Sequence, residues 1–290
     1  MWNWESVRCC RLPRDCPQSD HTVKCGFRNQ RPQTHQLDQQ STRTHQRNPQ
    51  PGSSPEPGNH HLQGRCQGNT KEKANINIAS LNVNGATAPS ERMSCVEKWA
   101  MINCMIHNER IAILALQETH LDQTLLDQLI NCFGKNLDIL NSPLPSNPQA
   151  SAGVALIINK ALIRPKEYSL TELDPGRATM LRIKWLESCE TSILNIYAPH
   201  NRNDQPNFWA RTLTNRCTKH LPLPDFVLGD FNVTEDSIDR APAHHDDPTA
   251  TKTMRDVHRE WNIQDTWRQM YPDTRCFTYH TNANGTQIQS

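Results

Sequence analysis

The sequence predicts an α/β protein in which two β-sheets pack together with helices outside. Two observations carry this. Apolar runs of strand length alternate with amphipathic helical stretches at both ends of the ordered region. Between them lie several strand-like runs in succession, whereas a single doubly wound sheet would alternate more regularly.

Order begins near "KANINIASLNVNG", where Ile76, Ile78 and Leu81 nearly alternate up to Asn82. Pro89-Ser90-Glu91 opens a helix to about His107, with Met93, Val96, Ala100 and Ile106 on its apolar stripe. "RIAILALQETH" is a short continuous apolar run, as a buried strand requires. "TLLDQLINCFG" reads as a helix stopped by Gly134. Strand-like runs follow in "LDILNS", "GVALIIN", "ATMLRIKW" and "TSILNIYAPH". Residues 206–220 read as a helix with Phe208, Leu213 and Cys217 on one face. "DFVLGDFN" holds another buried strand, "ATKTMRDVHREWNI" a last helix and "RCFTYHT" a last strand.

Composition separates a head from this body. The 290 residues include 20 prolines, and apolar content is 35%. Residues 1–75 hold 11 Lys+Arg against 6 Asp+Glu, and the rest 20 against 24, so a basic head precedes a mildly acidic body. Residues 1–74 read as a disordered basic Gln/Pro-rich tail, because apolar residues are too sparse to offset chain entropy. A zinc knuckle from Cys9, Cys16, Cys25 and His21 matches no common finger spacing. Residues 75–290 form the folded domain. Eleven cysteines without a CxxC pair or an apolar leader suit reduced thiols in an intracellular, monomeric protein. No apolar run approaches the ~20 residues of a membrane helix, so no membrane partner is expected.

Polar groups collect at four strand ends. They are Asn82 and Asn84, then Glu118, then Tyr197 and His200, then Asp230 and Asn232. Each alone has an ordinary explanation: a helix cap, a solvated acid, a half-buried tyrosine. Their recurrence points to one site. Oxygen donors without a His/Cys cluster suit Mg²⁺ or Mn²⁺ rather than zinc. One carboxylate can hold the cation, a second can deprotonate a water, and asparagine amides can donate to phosphate oxygens. Asp230 and Asn232, two apart on extended chain, are expected on one face. Gly229 leaves room for a close backbone or ligand.

"INIASLNVNG", "IAILALQETHL", "GVALIINK", "TSILNIYAPHN" and "FVLGDFNVTEDSIDR" stand in the order seen in the endonuclease/exonuclease/phosphatase superfamily. "LQETHL", "ILNIYAP" and "GDFN…DR" most resemble the endonuclease domain of LINE-type (non-LTR) retrotransposons, especially fungal ones. The resemblance covers about residues 75–290. It implies a four-layer α/β sandwich and a Mg²⁺-dependent (Mn²⁺ possible) phosphodiesterase that nicks DNA by metal-assisted attack of water. Asp230, Asn232, Tyr197, Glu118 and Asn82 would be catalytic, with Glu118 and Asn82 holding the metal. Asn84, Gln117, Arg240 and Thr278 match secondary positions near metal or DNA. The nicked strand would end in a 3′-hydroxyl that a reverse transcriptase of the parent polyprotein could extend, which would place a functional protein in the nucleus.

The family closes with a serine-x-isoleucine-aspartate strand and then an Asp-His pair, and "GTQIQS" falls where the first of these would begin. The expectation is a sandwich incomplete at its C-terminus, with little or no activity. His244 and His245 read as a surface turn. Two other classes stay open: a non-catalytic nucleic-acid-binding remnant, and a superfamily phosphatase acting on a phospholipid or inositol phosphate.

Overall fold

The computed structural model describes residues 76–85, 94–149, 151–165, 167–186, 189–278, 280–283 and 286–289. The basic tail, its candidate zinc knuckle and the Pro89-led helix start lie outside them. Two four-stranded mixed sheets make up the middle. The first has the order β1-β2-β4-β3, from β1 (Asn77–Asn82), β2 (Ile111–Gln117), β3 (Leu137–Ser142) and β4 (Val154–Asn159). The second has the order β5-β6-β7-β8, from β5 (Glu167–Asp174), β6 (Ala178–Leu186), β7 (Cys189–Tyr197) and β8 (Phe226–Asp230). A separate antiparallel pair joins β9 (His280–Ala283) and β10 (Thr286–Gln289).

Three apolar clusters stack the layers. Ile78, Ile113, Leu156 and Ile158 of the first sheet meet Leu181, Ile183, Ile193 and Leu228 of the second. The outer face of the first sheet is covered by α1 (Cys95–Asn108) and α2 (Gln123–Phe133). The outer face of the second is covered by α3 (Gln205–Thr218) and α4 (Pro248–Trp261). The result is the four-layer α/β sandwich. β2 and β4 are buried at every residue, which is why they read as unbroken apolar runs.

Several local expectations shift. Helix α1 buries Cys95, Lys98, Trp99, Ile102 and Ile106, while Val96 is exposed. Trp99 is the largest side chain available and sets the inward face. In α3 the buried residues are Gln205, Phe208, Trp209 and Thr212; Leu213 is partly buried and Cys217 exposed. Here too the indole decides, packing edge-on to Trp261 of α4 at 6.2 Å. Gly134 ends α2 in a right-handed conformation (φ −62°), not the left-handed turn its identity suggested. Strand β5 has no apolar alternation to announce it. It is an edge strand whose first residues are exposed, and its pairing with β6 makes it a strand. The short helix α5 (Thr266–Met270) was likewise unforeseen, and of "RCFTYHT" only the end is strand: β9 begins at His280, and β10 follows it.

Both parallel pairs end at the site. β1 runs beside β2 with Asn82 opposite Gln117, and β7 beside β8 with Tyr197 opposite Asp230. Gly229 is required in that second pair. Its φ is +132°, and a Cβ there would stand 1.9 Å from the Ile196 carbonyl oxygen of β7. Gly229→Ala is therefore expected to cost about 3 kcal/mol or more, read as a lowered urea midpoint with an unchanged m-value.

Candidate active site

Asn82 closes β1 and reaches both sheets. Its Nδ2 donates to Glu118 Oε1 at 2.8 Å and to Asp230 Oδ2 at 2.9 Å. Its Oδ1 accepts from the Asn84 backbone N–H at 2.8 Å, which fixes the amide's orientation. Two carboxylates on different sheets thus share one neutral donor group. The Tyr197 hydroxyl hydrogen-bonds Glu118, completing a cluster of four side chains.

The strand ends aim these groups by leaving extended geometry. Glu118, first after β2, has φ +52°, and Asn232, two residues after Asp230, also has φ +52°. Asp230 and Asn232 therefore do not share a face through strand alternation. Instead the chain turns, and the Asn232 N–H donates to Asp230 Oδ1 at 3.0 Å. Phe231 between them is the anchor: it is 6% exposed, with its ring 6.1 Å from Trp209. Burying that phenyl group leaves Asp230 and Asn232 facing the other way. Asn232 Nδ2 donates to the Ala198 carbonyl at 2.8 Å, and Oδ1 lies 3.5 Å from His200 Nδ1.

The electrostatics follow from crowding. Loss of water raises the Asp230 pKa above the usual carboxylate value, and the Glu118 charge adds to this; hydrogen bonds from Asn82 and Asn232 and the nearby His200 oppose it. Burial also pushes the Tyr197 phenol well above its ordinary value, reinforced by Glu118 and Asp230, so Tyr197 is a hydrogen-bond donor throughout the accessible pH range. Arg177 lies over the Tyr197 ring, 5.3 Å from its centroid, and donates to the Tyr197 carbonyl.

The remaining expected residues are more dispersed. Asn84 follows Asn82 with φ +50° and contributes its backbone N–H. Gln117 is fully buried and faces the sheet interior; it exchanges hydrogen bonds with Ser80 and donates to Asn195 Oδ1 at 2.7 Å. Its side chain is a brace between the sheets, because strand alternation turns it away from the face that Glu118 reaches. Arg240 is paired in two-pronged fashion with Asp246, at 3.1 and 2.6 Å, so its guanidinium holds the loop rather than standing open to a phosphate. Thr278 is partly exposed on the segment entering β9. His244 and His245 are exposed, as a surface turn requires. Of the neighbours of the site, Arg177 was not expected there, and His200 was expected only as a polar strand end without an assigned role. His200 stands three residues beyond the end of β7. Arg177 sits in the β5–β6 turn, where nothing local links it to Tyr197.

Among the described residues no three His, Cys, Asp or Glu side chains form a metal-binding group. The donor set is two carboxylates and an amide. Its chemistry fits a hard divalent cation that keeps waters and takes further oxygens from a substrate. Glu118 and Asp230 would supply the charge, and the Asn82 Oδ1 retains one lone pair beside its bond to Asn84.

Comparison with known proteins agrees with this architecture. The profile described as "Endonuclease/Exonuclease/phosphatase family" matches residues 79–288. An uncharacterized 149 kDa protein of transposon TX1 from Xenopus laevis is 26% identical over 217 residues, which is 74% of this chain and 15% of that protein. The chain thus spans a small part of that relative's length. The endonuclease domain of TRAS1, a telomere-specific non-LTR retrotransposon, superposes with a TM-score of 0.51 at 12% identity, covering 73% of this chain and 80% of that one. The AP endonuclease LMAP from Leishmania major gives 0.55 at 16% identity, covering 73% and 78%. At these identities the structural likeness is one of fold. The two stacked sheets carry the polar cluster at the ends of their strands. The chain belongs to the endonuclease/exonuclease/phosphatase family.

The raised Asp230 pKa has a consequence for metal-free protein. Because the folded value exceeds the unfolded one, the carboxyl favours folding below its ordinary pKa, and that contribution is lost as pH rises through the folded value. In EDTA, the stability of wild type relative to Asp230→Asn is expected to fall as pH rises from the ordinary carboxylate range. Urea midpoints measured across pH for both proteins check this, and parallel curves would contradict it.

Proposed function

We propose that the domain is a divalent-metal-dependent endonuclease of retrotransposon origin that nicks DNA. The observation that carries the proposal is the pairing of Glu118 and Asp230 through the Asn82 amide. Two carboxylates from different sheets are held together where one is already disinclined to ionise, and this supports a site built for a cation and a base.

Bound Mg²⁺ or Mn²⁺ would polarise the phosphate and lower the pKa of an attacking water. Glu118, with Asn82, would hold the ion. Asp230, whose carboxylate burial makes more basic than usual, would be the proton acceptor. It would orient the water and take its proton as the water oxygen bonds to phosphorus and the bond to the 3′ oxygen breaks. Asn232 keeps one amide proton beyond its bond to Ala198 and would donate it to a phosphate oxygen as charge develops. Tyr197 would turn its one phenolic proton from Glu118 to the phosphate once a cation occupied Glu118. The product would be a 3′-hydroxyl and a 5′-phosphate. Substrate DNA and a reverse transcriptase in a longer polyprotein, acting in the nucleus, complete the proposal; the TX1 and TRAS1 likenesses support this context. No helix among the described residues is long and apolar enough to cross a membrane.

Turnover by this chain is expected to be weak. His200, the imidazole beside Asn232, is exposed and rests against an amide, an arrangement that does little to orient it for protonating the leaving oxygen. Supercoiled plasmid incubated for hours with Mg²⁺ or Mn²⁺ should convert slowly to open circles whose ends a polymerase extends. Glu118→Ala and Asp230→Ala should lower that rate by ~10²-fold or more. Relaxation that persists undiminished in Asp230→Ala would sink the proposal. Independently of turnover, Mn²⁺ at 100 times its Kd should stabilise the wild-type chain by about 2.7 kcal/mol and leave Glu118→Gln nearly unmoved in thermal denaturation.

A further inference from the structure

Lys98 is 5% exposed and sits in the first turn of α1. Both facts count against a cation there. Burial strips its water, and the helix N-terminus carries partial positive charge. The helix start is itself firmly set, since Ser94 and Glu97 form a reciprocal cap and the Lys98 N–H donates to the Ser94 carbonyl at 3.1 Å. The ammonium reaches the backbone beyond β1: Lys98 Nζ donates to the carbonyls of Val83 and Gly85, each at 2.5 Å.

Those two carbonyls bracket Asn84. The same three residues turn their N–H groups to the opposite side. Val83 N–H donates to the Gln117 carbonyl at 2.9 Å, Gly85 N–H to the Glu118 carbonyl at 2.7 Å, and Asn84 N–H to Asn82 Oδ1. The segment is thus gripped from both sides while Asn84 and Gly85 hold left-handed conformations, at φ +50° and +81°. Toward the site, its Asn84 N–H holds Asn82 Oδ1, which leaves Nδ2 directed at Glu118 and Asp230.

We propose that Lys98 is a positioning residue for the active site: its buried ammonium clamps Val83–Gly85 and through Asn84 fixes the orientation of the Asn82 amide. Lys98 does not touch substrate. The consequence for catalysis rests on the nuclease reading above, whereas the clamp itself does not. The test compares the full chain with Lys98→Met and Lys98→Arg, by hydrogen exchange and by plasmid nicking with Mn²⁺. In Lys98→Met, amides of residues 83–85 should exchange at least ~10-fold faster while those of β2 keep their protection. The kcat for nicking should fall by ~10–10²-fold with KM and DNA affinity within twofold of wild type. Lys98→Arg, which keeps charged donors, should recover part of both. Unchanged exchange at 83–85 overturns the inference, as does a loss of DNA affinity in step with kcat. Loss of protection in β2 as well, or failure of Lys98→Met to fold, assigns Lys98 to the core and overturns it too. A wild-type chain that does not nick would defeat the nuclease reading alone, since the exchange measurement still decides the clamp.

Discussion

The site depends on a polar bridge buried between the two sheets. Asn195 of β7 is fully buried; its Nδ2 donates to the carbonyls of Leu116 in β2 and Ala155 in β4, and its Oδ1 accepts from Gln117. Gln117 in turn meets Ser80 of β1. The surrounding interface is aliphatic and would tolerate sliding, because apolar contact is not directional. Amides buried in it are different: a shift that unpairs one costs about 1–3 kcal/mol for each group left without a partner. The bridge therefore selects one placement of sheet on sheet. Ser80, Gln117 and Asn195 stand one or two residues before Asn82, Glu118 and Tyr197, so that placement decides whether the polar cluster meets at all.

The loops that emerge from this frame carry an unusual share of left-handed backbone. Asn84, Glu118, His120, Ala152 and Asn232 all have φ near +50° without being glycine. Each such residue costs about 1 kcal/mol or more, and such strain persists only where surrounding bonds over-determine it. Here the bonds are identifiable. Thr119 N–H and His120 N–H bind the Gly153 and Ala152 carbonyls, and Gly153 N–H binds Gly176. The loops after β1 and β2, the one before β4 and the β5–β6 turn thereby brace one another. Farther out, the "DR" of "GDFN…DR" is engaged in ion pairs: Arg240 holds Asp246, and Asp239 holds Arg268, whose guanidinium also binds the carbonyls of Tyr271, Pro272 and Thr274. Strain near the chemistry is thus balanced by hydrogen bonds and ion pairs around it.

Much of this was legible in the chain itself. Ile111–Gln117 and Val154–Asn159 are continuous apolar runs because both faces of those strands are covered, and burial on two faces leaves a local signature. Asn82, Glu118, Tyr197 and Asp230 could be named because each follows such a run, and the mixed order of elements was enough to argue for two sheets. Where the local signal was weak, the reading missed. β5 is half exposed and patterned by its partner, and in α1 and α3 the inward face follows one tryptophan rather than the average stripe.

By itself, then, the sequence determined which residues end the buried strands, since hydrophobic periodicity is a property of neighbours along the chain. Only the tertiary structure decided what those ends do. It turned Gln117 inward to join Asn195 across 78 residues, closed Arg240 onto Asp246, brought Arg177 over Tyr197 and set Lys98 beneath the β1 loop. These are pairings between groups distant in sequence. Their geometry follows from how two sheets stack, which no local pattern encodes.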